Sequence, residues 1–144
     1  VAVLDRPRHQ GIIDEIRAAG AGTRLMLDGD VAGGINAAMD GTRIDMSFGI
    51  GGCPEGVATA CAVKALGGFI QGVLAPLDYA YGADELVRSD NTIFVATGVT
   101  DGSLVGGVER AGRYVHTESI VLRSRSGTIR RVKATHLAEK WLEA

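Results

Sequence analysis

The stretch Ile44-Asp45-Met46-Ser47-Phe48-Gly49-Ile50-Gly51-Gly52-Cys53-Pro54-Glu55-Gly56-Val57-Ala58-Thr59-Ala60-Cys61-Ala62-Val63-Lys64-Ala65-Leu66 changes character twice. Ile44 to Ile50 reads as a strand, and Gly51 to Gly56 reads as a glycine-rich turn. Val57 to Leu66 is apolar and rich in alanine, and Gly67-Gly68 follows it where a helix would end. Pro54 suits a helix start, where its missing N–H leaves nothing unsatisfied. Strand, turn and helix in succession form the repeating unit of an α/β layer structure.

The same unit appears on either side. Val1 to Leu4 is a strand-like apolar run, followed by Asp5-Arg6-Pro7-Arg8-His9. Gly11 to Ala19 then places Ile12, Ile13 and Ile16 on one face and Asp14, Glu15 and Arg17 on the other, with Gly20 as the stop. Thr23 to Leu27 is a short apolar run closing on Asp28-Gly29-Asp30, and Val31 to Met39 is a small-residue helix. Farther on, Phe69 to Leu74 reads as a strand and Asp84 to Arg88 as a turn or two of helix. Thr92 to Thr97 reads as the clearest buried strand. It leads into Gly98-Val99-Thr100-Asp101-Gly102 and a short helix through Val108.

The last third is different. Thr117 to Arg123 and Thr128 to Ala134 alternate β-branched and polar residues around Ser124-Arg125-Ser126-Gly127, which predicts an antiparallel hairpin. A final helix, about His136 to Leu142, carries the single Trp. The expected architecture is a layered α/β sandwich over residues 1–144: one domain with a mixed sheet flanked by helices, ending in the hairpin and the helix.

Composition narrows the function. Glycine contributes 21 of the 144 residues, about twice the usual share near 7%, with no Gly-X-Y period that would signal collagen. Many glycines fall in the turns at strand ends. A net charge of −2 argues against nucleic-acid and membrane-surface partners, which require a basic excess. No apolar run has the length of a membrane span and the start lacks a signal-peptide pattern, so a cytoplasmic protein is expected. The opening on Val1 within an apolar run suggests a processed product or a fragment. Cys53 and Cys61 form no C-x-x-C pair and are expected to be buried free thiols.

Ligands of open α/β sheets bind beyond the carboxyl ends of strands, so the strand-to-helix turns hold the candidates. Asp28 and Asp30 flank Gly29; the pair can accept hydrogen bonds from sugar hydroxyls or bind a hard cation, and Asp30 also suits the helix N-cap. No basic residue lies near them in sequence. Arg6 and Arg8 flank Pro7, a stiff arrangement that can clamp a phosphate or sit solvated as a surface pair. Glu55, in the first turn of an apolar helix, complements the helix dipole. His9 reads as a helix-start residue, and Asp101 as a cap for the helix that follows it. The arginines at 123, 125, 130 and 131 read as a solvated or subunit-facing edge. Neither a dinucleotide fingerprint, a Walker loop nor a Gly-x-Ser-x-Gly elbow is present.

In this order, Val3 to His9, Asp28 to Ala32, Gly49 to Val57, Ala96 to Gly102 and the Arg123 to Arg131 hairpin resemble the carboxyl-terminal half of class II fructose-1,6-bisphosphatases, the GlpX type. The resemblance spans nearly the whole chain. It implies an inositol-phosphatase-like α/β fold and metal-dependent hydrolysis, with Mg²⁺ or Mn²⁺, of the 1-phosphate of fructose 1,6-bisphosphate in gluconeogenesis. Similar enzymes also accept sedoheptulose 1,7-bisphosphate. It further implies that Arg6, Pro7 and Arg8 hold substrate, that Asp28, Gly29 and Asp30 hold its sugar hydroxyls, that Gly52 contacts it through backbone, and that Glu55 ligates metal. Homodimers or homotetramers would be the assembly.

The family's amino-terminal half, with the other metal-binding acids, has no counterpart here, so this chain alone is expected to be inactive. Relatives also carry a charged insertion between Pro76 and Asp84, where Leu77-Asp78-Tyr79 marks a deletion or a junction. A non-catalytic sugar-phosphate-binding or regulatory domain derived from such an enzyme is the alternative.

Overall fold

A computed structural model describes residues 1–141. Its first layer is built from three strand-to-helix units. β1 (Ala2–Leu4) leads through a 3-10 turn, Pro7–His9, into α1 (Gln10–Ala18). β2 (Arg24–Met26) leads into α2 (Asp30–Ala38), and β3 (Ser47–Phe48) leads into α3 (Cys53–Leu66). The strands form a parallel sheet in the order β2-β1-β3, so the fully buried Ala2 and Val3 lie at its centre. Parallel pairing puts all three carboxyl ends on one edge, and each is followed by a helix.

β4 (Gln71–Val73) and β5 (Ala80–Gly82) then pair antiparallel and lead to α4 (Ala83–Leu86). Leu77-Asp78-Tyr79, where a deletion or a junction is expected, falls in the connection between these two strands. Lys64, near the end of α3, bonds the Val87 carbonyl at 3.0 Å and the Asp84 carboxylate at 2.8 Å. That bond to Asp84 is the main reason its ammonium titrates above its ordinary value, against the opposing effect of burial.

The remaining strands, β6 (Ile93–Thr97), β7 (Glu109–Ala111), β8 (Tyr114–Arg123) and β9 (Thr128–Leu137), form an antiparallel sheet built on β8. β6 and β7 pair with opposite ends of β8, and β9 runs along its whole length from Tyr114↔Leu137 to Arg123↔Thr128. The predicted hairpin is present and longer than expected, with Gly127 at φ +57 closing its turn. A last short helix is α5 (Ala138–Trp141). The principal core joins the two layers: Ile35 of α2, Ala62 and Ala65 of α3, and Ile120 and Leu122 of β8, with Leu104 from the preceding loop. The α/β class holds, with the strands shared among three sheets.

Several expectations need correction. Thr92 to Thr97 is not a buried strand: Phe94 and Ala96 pack on the core, whereas Ile93 and Val95 are 61% and 59% exposed. An unbroken apolar run hides that period-two alternation. No helix follows; residues 98–108 form a looped turn in which the Asp101 carboxylate accepts the Gly107 N–H at 2.9 Å instead of capping a helix. A β-carbon on Gly107 would lie 2.6 Å from the Asp101 nitrogen, and one on Gly98 would strike the Gly106 carbonyl. Close backbone approach decides this loop, not helix propensity.

β3 is shorter than Ile44 to Ile50 because it is an edge strand and β1 offers it few partners. α3 begins at Cys53, four residues before the expected start, with Gly52 extended at its N-cap. His136 and Leu137 belong to β9 and not to the last helix, whose expected end at Leu142 lies outside the described residues. Both cysteines are free, but neither is fully buried: Cys53 opens α3 at the surface and Cys61 is half-buried. Among the described residues no helix is long and apolar enough to cross a membrane.

Candidate functional site

The ends of the three parallel strands bring the sequence candidates together. Register is the cause. Leu4 pairs with Met26, so two residues farther along each strand Arg6 comes opposite Asp28. Their side chains form an ion pair, with Nη2 2.7 Å from Oδ1. The pair is open to water, with exposures of 37% for Arg6 and 88% for Asp28. Asp28 therefore has the basic neighbour that its local sequence lacks.

Arg8 reaches the third strand end. Its Nε donates to the Ile50 carbonyl at 2.8 Å, and among the described residues its terminal amino groups have no protein partner. Pro7 starts the 3-10 turn that separates the two arginines. Gly29 adopts φ +84, a left-handed conformation that favours glycine, and is itself the N-cap of α2. Asp30 is therefore the first residue of the helix instead of its cap. Its Oδ1 accepts the Val31 N–H at 2.9 Å, while its Oδ2 turns toward Gly51.

Gly51 and Gly52 lie between these acids and Glu55. A β-carbon on Gly51 would come within 3.1 Å of Asp30 Oδ2, and one on Gly52 would meet the Glu55 carboxylate. Glu55 folds back over the N-terminus of α3, where the helix dipole favours an anion. The surface so formed presents guanidinium donors, carboxylate acceptors and the start of a helix side by side. It can hold a ligand carrying both phosphate and hydroxyl groups.

A divalent cation fits it poorly on this chain alone. Among the described residues no group of three His, Cys, Asp or Glu side chains lies together as a metal site. Asp28 is engaged by Arg6 and Asp30 by its own helix, leaving Glu55 as a single carboxylate. Mg²⁺ or Mn²⁺ requires several oxygen ligands.

His9 stands at the start of α1, as its N-cap, in line with the sequence reading. What the sequence reading lacks is its burial and its bridge between Leu4 and Ile50. The signal was present: His9 lies three and four residues before Ile12 and Ile13, on the same apolar face of the helical period. The basic hairpin lies elsewhere. Arg131 donates to the Leu104 carbonyl at 2.7 Å, and Arg123 donates to Asn91 at 3.0 Å.

Residues 1–136 match the family model described as bacterial fructose-1,6-bisphosphatase, glpX-encoded. The chain belongs to this family. It is 36% identical to the class 2 fructose-1,6-bisphosphatase of Haemophilus influenzae, over 94% of this chain and 49% of that protein. It is 38% identical to the D-fructose 1,6-bisphosphatase class 2/sedoheptulose 1,7-bisphosphatase of Trichodesmium erythraeum, covering 95% of this chain and 48% of the relative. The protein of the same description from Synechocystis is also 38% identical, with 96% and 48% covered. The chain thus spans about half the length of these class 2 bisphosphatases. The aligned spans of 164, 165 and 167 positions exceed the 144 residues of the chain, so each relative also carries internal residues that have no counterpart here.

Proposed function

We propose that this chain is the phosphosugar-binding part of a class II fructose-1,6-bisphosphatase, whose complete form hydrolyses the 1-phosphate of fructose 1,6-bisphosphate to fructose 6-phosphate and phosphate. The observation that carries the reading is the convergence of Arg6, Arg8, Asp28, Asp30 and the Gly51–Glu55 turn at one sheet edge, in a chain of that family.

The roles follow from donor and acceptor chemistry. Arg6 and Arg8 take a phosphate, Arg8 with its unengaged amino groups and Arg6 by exchanging an exposed carboxylate partner for the phosphate oxygens. Asp28, released by that exchange, and Asp30 accept hydrogen bonds from sugar hydroxyls. Gly52 brings backbone close to the ligand, since no side chain intervenes. In the complete cytoplasmic enzyme Glu55 is one oxygen ligand of Mg²⁺ or Mn²⁺, the other ligands being supplied from outside this sequence. The names of the cyanobacterial relatives support sedoheptulose 1,7-bisphosphate as a second substrate. Association into homodimers or homotetramers belongs to the same proposal.

Calorimetric titration with fructose 1,6-bisphosphate and fructose 6-phosphate tests the binding role. Heats that saturate for the chain, with an affinity about tenfold weaker in Arg8→Ala, support it; no saturable binding of either sugar phosphate by the unaltered chain would sink it.

A further inference from the structure

We propose that His9 is a positioning residue that fixes Arg8 and the Gly49–Gly52 turn for phosphosugar binding, an inference that rests on the function proposed above. Four groups are joined in a line from β1 to Arg8. The Ile50 N–H donates to His9 Nε2 at 2.8 Å. A ring nitrogen that accepts carries no proton, so in the neutral ring the proton is on Nδ1. Nδ1 lies 2.9 Å from the Leu4 carbonyl and donates to it. The Ile50 carbonyl, 3.1 Å from the unprotonated Nε2, takes its hydrogen bond from Arg8 Nε at 2.8 Å.

His9 and Arg8 therefore hold the two peptide groups on either side of the Ile50 α-carbon, one by its N–H and the other by its C=O. The imidazole is completely buried, so water cannot replace it in this line. Its place cannot be filled by an aliphatic or aromatic side chain, which would leave the Ile50 N–H without its acceptor. No other protein acceptor serves that N–H among the described residues. Through Ile50 the ring sets the direction of the Arg8 guanidinium and the path of the chain into Gly51 and Gly52. His9 does not touch the ligand surface.

The test uses His9→Phe, which keeps a planar ring without donor or acceptor, and His9→Gln, which restores one of each. Thermal melts first establish that both variants fold. Fructose 1,6-bisphosphate affinity should fall about tenfold in His9→Phe and recover most of the way in His9→Gln. In an Arg8→Ala background the same His9→Phe change should have little further effect, because the residue it orients is gone. The Ile50 amide should exchange at least about tenfold faster in His9→Phe while Ile16 in α1 stays protected.

Wild-type affinity in His9→Phe, or an equal loss with and without Arg8, overturns the proposal. If the unaltered chain binds no sugar phosphate, the functional reading fails; Ile50 exchange then decides the positioning role, its acceleration sustaining that role and its absence overturning it. If His9→Phe does not fold, His9→Ala decides by the same readings: faster Ile50 exchange and weaker binding in a folded protein sustain the role, and unchanged exchange or unchanged affinity overturns it.

Discussion

Arg6 and Arg8 lie two residues apart and do different work, because one reaches across to β2 and the other to the turn after β3. The Arg6–Asp28 pair is solvent-exposed and contributes under about 1 kcal/mol to stability. Arg6→Ala should therefore leave the urea midpoint nearly unchanged while weakening fructose 1,6-bisphosphate binding about tenfold, a separation read by denaturation and calorimetry on the same sample. Gly107 should show the reverse pattern. Its missing β-carbon would fall against the Asp101 and Thr100 backbone, which cannot rotate out of the way as a side chain can. Gly107→Ala should cost about 3 kcal/mol in urea unfolding. A loss under about 1 kcal/mol would show that the loop spanning 98–108 repacks freely.

Between elements, the hairpin that ends in β5 is tied to α4 by one carboxylate. Glu85 accepts the Tyr79 hydroxyl at 2.5 Å and the Gly82 N–H at 2.9 Å, so it caps its own helix while holding the connection before β5. The Tyr79 hydroxyl and then the Gly82 N–H favour the ionised form, and Glu85 titrates below its ordinary value of 4.5. The same bond raises Tyr79 above its ordinary 10.0. The stabilisation is fully present above about pH 4.5 and is lost as pH falls through the lower folded value; at the alkaline end it is lost as pH rises through the raised value of Tyr79. In Tyr79→Phe the Glu85 carboxyl should titrate back toward 4.5, followed by its carbonyl carbon resonance; an unmoved titration would assign the shift to Gly82 instead. Elements of this kind were only partly legible. The helices at Ile12–Ile16 and Val31–Met39 could be read because their apolar or small-residue segments fall between clear turn signals, and the hairpin because β-branched residues alternate around Gly127. The exposed face of β6 was hidden because Ile93 and Val95 are as apolar as the Phe94 and Ala96 that face the core. Strand-end logic picked out Asp28, Asp30, Arg6 and Glu55 as candidates, and the sheet brings them to one edge. The Arg6–Asp28 pairing and the His9 bridge depend on the register of strands some twenty and forty residues apart, which local pattern does not encode.

Across the whole molecule, one layer of packing carries the site and another supplies much of the buried core. α2 and α3 rest their Ile35, Ala62 and Ala65 on Ile120 and Leu122 of β8, while the opposite ends of the same helices begin at Asp30 and Cys53 beside the candidate ligand surface. Ile120→Ala should cost about 2–5 kcal/mol in urea unfolding and loosen the site only through loss of fold, so the fraction that remains folded should bind sugar phosphate normally. Catalysis is a different matter. Hydrolysis of a phosphate monoester requires stabilisation of charge on the transferring group and an activated water, and one unshared carboxylate, Glu55, cannot assemble the oxygen shell of a divalent ion. The relatives that bear the bisphosphatase name are about twice as long, each being covered over only 48–49% of its length. The 144-residue chain, with Mg²⁺ or Mn²⁺ added, should therefore bind fructose 1,6-bisphosphate without releasing phosphate. In a complete relative, Glu55→Gln at the matching turn should abolish metal-dependent turnover while the melting temperature holds. Phosphate release by the short chain, at a rate that scales with its concentration and disappears in Glu55→Gln, would mean that these residues assemble a working metal site without the other half.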